Sequence, residues 1–443
     1  MRYAGRRIQD RMKRIIRHAS FIMYPASFYL VVFCSLVFSS HALAGDLELQ
    51  PLIDEALKNS PEIRAAQARV SASTYRIPQA KTLPDPMFMI GYQNEGWRRY
   101  TFGETSDAQW MFSASQMFPF PGKLSLKGEM AARESESSRA LYDSVRLRTI
   151  ARVRELYYEL FLAYKNIDLI RDKGALFSRL EDAALARYSS GMGQQQEVLM
   201  AQTEKYMLLE REEMFKQKVQ SLEAMLNSTT GRDVTSPLGR PAGLPSGAQA
   251  RDMDELLRRA YENSPEIRSR EKMIAAAEAR VRMAGREYYP DFTVNANYAN
   301  RGGGEFPDMW SLTTTINVPI YYRTKQKQAV LEAEASLSEA QQELAAARLM
   351  IASNISDSYS MHKTAEKLME LYKDGLIPKI YQDFESALAG YATGKVEALT
   401  VINRLKALID FELLYWGQAV EKEKAAARID AAAGITDTEP GGR

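Results

Sequence analysis

The sequence predicts a mainly α-helical protein with a small β part of four strands, arranged as two copies of one unit. Three observations support this prediction: an internal repeat, two pairs of segments with alternating apolar residues, and long stretches without proline. The repeat spans about 200 residues, whereas solenoid units run to roughly 20–50 residues. The chain is therefore expected to be a duplicated half-protein.

A helix-start motif marks the beginning of each copy. Residues 59–64 and 263–268 both read Asn-Ser-Pro-Glu-Ile-Arg. Serine before proline, with an acid in the first turn, predicts a helix that the serine caps. Three further matches follow in the same order: Pro84 and Asp85 with Pro290 and Asp291, Phe118 and Pro119 with Val318 and Pro319, and the turn at 188–191 with that at 391–394.

These matches divide the chain into repeats. The first repeat is predicted at 45–234 and the second at 251–432. A linker rich in Gly, Pro and Ser at 235–250 separates them, and a flexible C-terminal tail follows at 433–443. Each repeat is expected to contain a helix, a β-hairpin and a long helical hairpin.

Residues 1–44 are predicted to be a secretory signal peptide. Seven basic residues precede an apolar run at 28–38, and a small-x-small pattern ends at Ala44. A membrane anchor is the alternative, but the run is shorter than the roughly 20 residues that span a bilayer. The only cysteine, Cys34, lies in this run, and the bulky Phe33 before it argues against a lipoprotein site.

Charge and composition exclude several classes of function. Removing the seven bases and one acid of the signal peptide from 58 bases and 56 acids changes the net charge from +2 to −4. No basic face for nucleic acid is expected. His362 is then the only histidine, which excludes histidine triads and His/Cys metal clusters, so no metal site or cofactor is predicted. An enzyme would have to use carboxylates, Lys, Tyr or Ser, and no carboxylate pair stands out.

The 20 methionines raise the question of soft-metal binding. Most of them have apolar neighbours in the sequence. Methionine is an adaptable filler of hydrophobic cores. The methionines are therefore expected in the core.

Two strands of about 9–11 residues are predicted in each copy, a length that crosses a bilayer when tilted. Residues 292–298 and 310–318 alternate apolar side chains with Ser, Thr or Asn, and 88–92 and 110–114 do so less regularly. A small, uncharged polar face suits the wall of a lumen. Trp97, Trp110 and Trp310 lie in or beside these hairpins, as a membrane girdle would, and four tyrosines mark the opposite end. The alternative is a soluble hairpin with one face on a core.

Long helices are predicted for the rest. No proline occurs from Lys123 to about residue 186, and apolar residues recur in steps of three and four at 153–170 and at 337–351, which is typical of coiled-coil seams. A second apolar line lies beside the first, so a neighbour on each side is expected, as in a closed ring of helices. An ordinary bundle gives the same pattern. Gly375 and Pro378 predict a bend in the second long helix.

Four membrane strands cannot close a barrel alone, because open edges in lipid leave backbone groups unpaired at a cost of several kcal/mol each. Three chains would supply 12 strands and a ring of helical hairpins. The predicted assembly is a trimeric 12-stranded β-barrel continuing into a long coiled-coil helical barrel of about 100 Å.

In their order, these motifs resemble the TolC-type outer-membrane efflux family. The resemblance covers essentially the whole mature chain and includes Leu-Pro-Asp-Pro at 83–86 and Phe-Pro-Phe-Pro-Gly-Lys at 118–123, which look closest to the heavy-metal efflux branch. It implies a homotrimer in outer-membrane lipid with its helical part in the periplasm. Such a trimer is a passive duct for metal ions or drugs, served by an inner-membrane efflux pump. A periplasmic adaptor protein would dock at the tip residues Tyr188, Gly191, Tyr391 and Gly394.

The gate departs from the best-known member of that family. There a basic residue two positions after the second tip glycine binds an acid six positions after the first. Here Glu197 supplies the acid, but the basic position holds Val396. Closure is therefore expected to rest either on packing or on Glu397 and Arg404, so the candidate periplasmic gate residues are Glu197, Glu397 and Arg404. The alternative function is a periplasmic coiled-coil adaptor or scaffold.

Overall fold

The computed structural model describes residues 46–244 and 252–435. The predicted signal peptide at 1–44 lies outside the described residues, as do 245–250 of the linker and 436–443 of the tail. The first half contains α1 (Leu49–Asn59), α2 (Pro61–Lys81), β1 (Met87–Gln93), β2 (Gln109–Phe118), α3 (Lys123–Ser189) and α4 (Gln195–Thr230). The second half contains α5 (Met253–Asn263), α6 (Pro265–Arg286), β3 (Phe292–Asn300), β4 (Met309–Ile316), α7 (Gln326–Glu370), a π-helical segment (Leu371–Leu376), α8 (Ile377–Ala392) and α9 (Ala398–Ala433).

The two halves therefore follow the same element order, and the prediction of a mainly helical fold with four strands is confirmed. Described residues 46–47 and 238–240 form a small unit of their own, in which Leu47 N donates to Arg240 O at 2.7 Å. The other described residues, with all the helices and strands named above, form the second compact unit. None of the helices in the described ranges combines the length and hydropathy needed to cross a bilayer.

The repeated motif joins two helices in each half. Ser60 and Ser264 are the N-cap residues and Pro61 and Pro265 occupy the first helical turn, as predicted, but neither serine side chain makes a capping hydrogen bond. Both serines are buried where two helices abut. The arginine of the motif supplies the polar contact instead: Arg64 Nη2 donates to Asn59 Oδ1 at 3.1 Å, and Arg268 Nη2 to Asn263 O at 2.7 Å.

A second repeated contact ends each half. Gly231 follows α4 with φ +79° and Gly434 follows α9 with φ +71°. A Cβ at either position would lie within 2.7 Å of the backbone oxygen of Asn59 or Asn263. Only glycine fits both the left-handed conformation and the close approach. The last helix of each half is thus closed against the first helix of the same half.

The long helix of the second half is interrupted where Gly375 and Pro378 predict it. α7 passes into six residues of π-helix, none of them buried, and Pro378 lies in the first turn of α8. Proline lacks the backbone donor that a continuing α-helix requires. α3, in contrast, runs through 67 residues without a break, which is about 100 Å.

The four strands form one antiparallel sheet in the order β1-β2-β3-β4. β2 and β3 have 10 and 9 residues, whereas β1 and β4 have 7 and 8 and are shorter than predicted. β1 and β4 are the edges, so each has a partner on one side only. Pro86 immediately precedes β1, and Pro319 follows β4. Proline cannot extend a hydrogen-bonded ladder.

The core follows the predicted seam on α3. Its six apolar residues, Val153, Leu156, Leu160, Ala163, Ile167 and Ile170, are all buried. A larger cluster joins α3 and α4 to α8 and α9 towards the helical tips. No methionine among the described residues is buried in the single chain, so the predicted core position is wrong for most of them, while Met200 and Met253 pack against the two core clusters. Apolar neighbours in a sequence do not identify a core when the helix face remains uncovered.

Candidate functional site

The two helical hairpins end in turns of the same geometry. Gly191 has φ +73° and Gly394 has φ +75°. Met192 N donates to Arg187 O at 2.9 Å, and Lys395 N donates to Gly390 O at 2.9 Å. These bonds close a helix end through a left-handed glycine. The paired Tyr-x-x-Gly motifs therefore encode one turn, used twice.

Arg187 brings the two tips together. Its Nη1 donates to Tyr391 O at 2.6 Å and its Nη2 to Met192 O at 3.0 Å, so one guanidinium holds a backbone oxygen from each turn. The same guanidinium lies 4.9 Å from the centre of the Tyr391 ring, within reach of a cation–π contact. Sequence reasoning did not identify Arg187 as a functional residue. The equivalent position of the second repeat is Gly390, so the comparison of the two repeats shows no shared arginine there.

The two tip tyrosines have different surroundings. Tyr188 is 45% exposed, whereas Tyr391 is fully buried. The Tyr391 hydroxyl donates to Glu197 Oε2 at 2.9 Å. Burial, followed by this hydrogen bond to a carboxylate, raises the pKa of Tyr391 to about 12. The Tyr391 side chain therefore packs the tip from inside and is not exposed on the single chain.

The three candidate gate residues do not meet in the chain. Glu197 binds Tyr391, while Arg404 Nε pairs with Asp383 Oδ2 at 2.8 Å between α9 and α8. Glu397 is exposed at the N-terminus of α9 and makes no ion pair within the described residues. The structure thus gives each residue its own partner or none. The side chain that unites the turns is Arg187.

The sheet has two chemically distinct faces. One face is mainly apolar. On it, β3 contributes Phe292, Val294, Ala296 and Tyr298, which pair in that order with Ile316, Thr314, Leu312 and Trp310 of β4. On the other face Thr293, Asn295 and Asn297 stand opposite Thr315, Thr313 and Ser311, and two hydrogen bonds join the Asn side chains to these hydroxyls. None of the four strands contains a charged residue. All five strand methionines share the polar face: Met87, Met89, Met111, Met117 and Met309.

Tryptophans mark one end of this sheet. Trp110 and Trp310 lie on the apolar face, paired in register with Asn300 and Tyr298. Trp97 lies in the loop between β1 and β2 and is fully exposed. At the other end, the rings of Tyr288 and Tyr322 lie 6.5 Å apart.

A buried lysine joins the two copies where the sheet meets the helices. Lys123 is the first residue of α3, and its side chain is 3% exposed. Its Nζ contacts Asp291 Oδ1 at 2.9 Å, Glu287 Oε2 at 3.2 Å and Tyr289 O at 3.2 Å. Asp291 Oδ1 also accepts Phe120 N at 2.7 Å. A buried charge is retained only when paired and hydrogen-bonded, and Lys123 is both.

The sequence profile described as "Outer membrane efflux protein" matches residues 52–232 and 256–410. The chain belongs to the outer membrane efflux protein family. Among its relatives is the cobalt-zinc-cadmium resistance protein CzcC of Cupriavidus metallidurans, 24% identical over 391 residues that cover 87% of this chain and 90% of that protein. The cation efflux system protein CusC of Escherichia coli K12 is 21% identical and covers 75% of this chain and 78% of its own length.

Solved structures give the same fold. The outer-membrane channel OprN superposes with a TM-score of 0.74 at 16% identity, covering 88% of this chain and 90% of that one. The outer membrane protein VceC of Vibrio cholerae gives 0.73 at 18% identity, with 87% and 96% covered. Family membership confirms the predicted outer-membrane efflux duct with a helical periplasmic part, and it rules against the periplasmic scaffold. The family consists of transport proteins rather than enzymes.

Proposed function

We propose that three copies of this chain close one 12-stranded barrel in the outer membrane. The observation that carries this proposal is the sheet: four uncharged strands with one apolar and one polar face, and with β1 and β4 as unpaired edges. In lipid an open edge costs several kcal/mol for each unpaired backbone group. Pairing β4 of one copy with β1 of the next removes both kinds of edge.

In this barrel the apolar face contacts lipid and the face with Ser, Thr, Asn and Met lines the duct. Trp97, Trp110 and Trp310 then form the girdle at one membrane surface, where amphipathic rings are favoured. The repeats at 45–234 and 251–432 each contribute one hairpin to the barrel and one helical hairpin to the periplasmic tube. The segment 235–250 links them.

The helical tips are the proposed contact for a periplasmic adaptor, which connects the duct to an inner-membrane pump. Tyr188, Gly191 and Gly394 are exposed there. Tyr391 contributes through the position of its backbone, because its ring is buried. Glu197, Glu397 and Arg404 remain the proposed gate, and Glu197 acts through its bond to Tyr391.

Adjacent residues of β4 provide a matched test of the barrel. Leu312→Arg places a charge on the proposed lipid face and Thr313→Arg places one on the proposed lumen face. A basic residue facing the middle of the bilayer costs about 2–4 kcal/mol, whereas lumen positions tolerate charge. We expect Thr313→Arg to give a heat-modifiable oligomer in the outer-membrane fraction with the mass of three chains, and Leu312→Arg to give much less. Equal yields, or wild-type protein with the mass of one chain, would refute the barrel.

We further propose divalent metal cations as the exported substrate, on the basis of the relative CzcC. Other relatives include the pyoverdine export protein OpmQ and the toluene efflux protein TtgI, both of Pseudomonas putida, so the test must compare classes. Deletion of the gene should lower the tolerated concentration of cobalt, zinc or cadmium salts, and expression in trans should restore it. Unchanged metal tolerance with increased sensitivity to solvents or drugs would contradict this assignment.

A further inference from the structure

Lys123 of the first repeat binds Asp291 of the second. The equivalent contact, at the start of α7, is incomplete among the described residues of a single chain. Lys123 is the first residue of α3, and Gln326 is the first residue of α7; both side chains are buried. Asp291 precedes β3 within the motif Pro-Asp, and Asp85 precedes β1 within the same motif. The symmetric contact would join the start of α7, in the second repeat of one chain, to Asp85, in the first repeat of another chain.

Within residues 46–244 and 252–435, neither the start of α7 nor Asp85 has the partner that its counterpart has. Among the described residues the buried Oε1 atom of Gln326 has no hydrogen-bond partner, and as an acceptor it requires a donor, not the Asp85 carboxylate. A buried polar atom left without a partner costs about 1–3 kcal/mol. Asp85 is exposed, and its side chain makes no hydrogen bond or ion pair with residues 46–244 or 252–435. Arg323 and Lys325, just before α7, are exposed and place positive charge where Lys123 does in the first copy.

The helix faces beside these junctions have the same relationship. On α3, Glu129 pairs with Arg282 of α6 at 2.6 Å, and Glu136 pairs with Lys272 of α6 at 2.9 Å. The positions on α7 equivalent to Glu129 and Glu136, counted from the helix start, are Glu332 and Glu339.

Both of these α7 glutamates are exposed, and neither forms an ion pair within the described part of the chain. α2, the counterpart of α6, has four exposed bases: Arg64 bonds to Asn59 and Lys81 lies along α3 at Gly128, while Arg69 and Arg76 have no ionic partner among the described residues. The outward faces of α2 and α7 are therefore complementary in charge.

We propose that α2 and the Asp85 turn of a second copy of this chain dock on α7 of the first. Asp85 meets Arg323 and Lys325, and Arg69 and Arg76 of α2 meet Glu332 and Glu339. The docking repeats between chains what α6 and Asp291 do on α3 within a chain. It rests on the proposed trimer and adds which residues of neighbouring copies come together.

Site-directed cross-linking of the full-length protein tests this contact. The only cysteine is Cys34, so Cys34→Ser gives a background without thiols. Asp85→Cys with Lys325→Cys is treated in isolated membranes with a bismaleimide of about 8 Å reach. The matched control is Glu129→Cys with Arg282→Cys, a pair already in contact within one chain. Each single-cysteine variant is treated in parallel.

We expect the Asp85/Lys325 pair to give bands of two and three chains on a reducing denaturing gel. The control pair should remain a single chain, and so should Asp85→Cys alone. Absence of the larger bands while the uncross-linked protein has the mass of three chains would overturn this interface and leave the barrel intact. Protein with the mass of one chain would overturn both.

Charge reversal provides a second readout that does not depend on cysteines. The double variant Glu332→Lys with Glu339→Lys should lower the temperature at which the trimer dissociates on a semi-native gel. Adding Arg69→Glu and Arg76→Glu should restore most of that loss. If the four-residue variant is less stable than the two-residue variant, α2 is not the partner of α7.

Discussion

The two helical tips have the same backbone and different side chains. Gly191 and Gly394 adopt φ values within a few degrees of each other, and each turn closes with the same hydrogen bonds. Yet Tyr188 is exposed while Tyr391 is buried against Glu197. Arg187 extends from the first tip to the second, and glycine at the equivalent position of the second tip offers no side chain in return. The two repeats of the chain have thus kept the same turns, while the side-chain contacts that join one repeat to the other are not equivalent.

The junctions below the sheet show the same division. Lys123 is buried with two carboxylates from the other repeat, whereas Gln326, which begins the equivalent helix, has a buried oxygen without a partner in the part of the chain that the structure describes. Contacts within a copy are therefore expected to respond alike to mutation in both halves. Contacts between the two repeats, such as those at Lys123 and Gln326, are expected to respond differently from each other.

The largest difference is expected at the junctions. Lys123→Met would remove the cation that Asp291 and Glu287 share and leave Asp291 uncompensated at a largely buried position. Breaking a buried ion pair by removing one partner costs about 3 kcal/mol or more. Gln326→Met should change the free energy of unfolding of the detergent-solubilised chain by less than about 1 kcal/mol, because no bond of its Oε1 is lost.

Denaturant unfolding followed by circular dichroism measures both variants. A third variant, Glu287→Gln, is the control, because Glu287 is 44% exposed and its loss should be mild. Equal destabilisation by Lys123→Met and Gln326→Met would remove the asymmetry between the junctions.

The glycines that end each half should respond equally. Gly231→Ala and Gly434→Ala each add a Cβ to a residue with positive φ, within 2.7 Å of a backbone oxygen. The cost should be about 2 kcal/mol at both sites. Gly174→Ala in the middle of α3 is the control, because a Cβ there meets nothing within 4 Å and alanine favours helix by about 1 kcal/mol. Thermal unfolding of the three variants decides; a large effect at one glycine only would show that the halves are not closed in the same way.

Sequence patterns with a local cause predicted the fold well. Proline positions located the helix starts and the interruption at 371–376, and a period of two located the strands. The glycine turns followed from the need for positive φ. Each of these features depends on a few consecutive residues.

Features that depend on distant residues were not predictable. The bond from Arg187 to Tyr391 spans 204 positions, and the bond from Lys123 to Asp291 spans 168. The serines occupy the predicted N-cap positions, but the motif does not reveal that their side chains make no capping bond. The edge strands β1 and β4 are shorter than predicted, because backbone pairing with the neighbouring strand, and not the alternation of side chains, determines where a strand ends. The gate candidates Glu397 and Arg404 were chosen by position, and the structure gives them no common partner.

A smaller effect is expected from the two tip tyrosines. Tyr391→Phe removes one bond to a carboxylate, which should cost about 1 kcal/mol at pH 8, whereas Tyr188→Phe should cost nothing measurable. The folded state raises the pKa of Tyr391 from 10 to about 12, so the stability that this group contributes is complete below pH 10 and is lost as pH rises towards 12. The gap between wild type and Tyr391→Phe should therefore close over that range. Chemical denaturation at several pH values measures it, and a gap that widens would contradict the assigned environment.

The smallest effect is expected at Arg404, and it separates the two halves of the proposed gate. Glu197→Ala frees the Tyr391 hydroxyl at the point where the tips meet, so single-channel conductance in planar bilayers should rise. Arg404→Ala breaks a pair with Asp383 in which both side chains are about half exposed, and such pairs contribute roughly 0–1 kcal/mol. Its conductance should stay close to that of wild type. A rise with Arg404→Ala alone would move the constriction from the contact between the tips to the α8–α9 hairpin, and unchanged conductance in both variants would remove these residues from the gate.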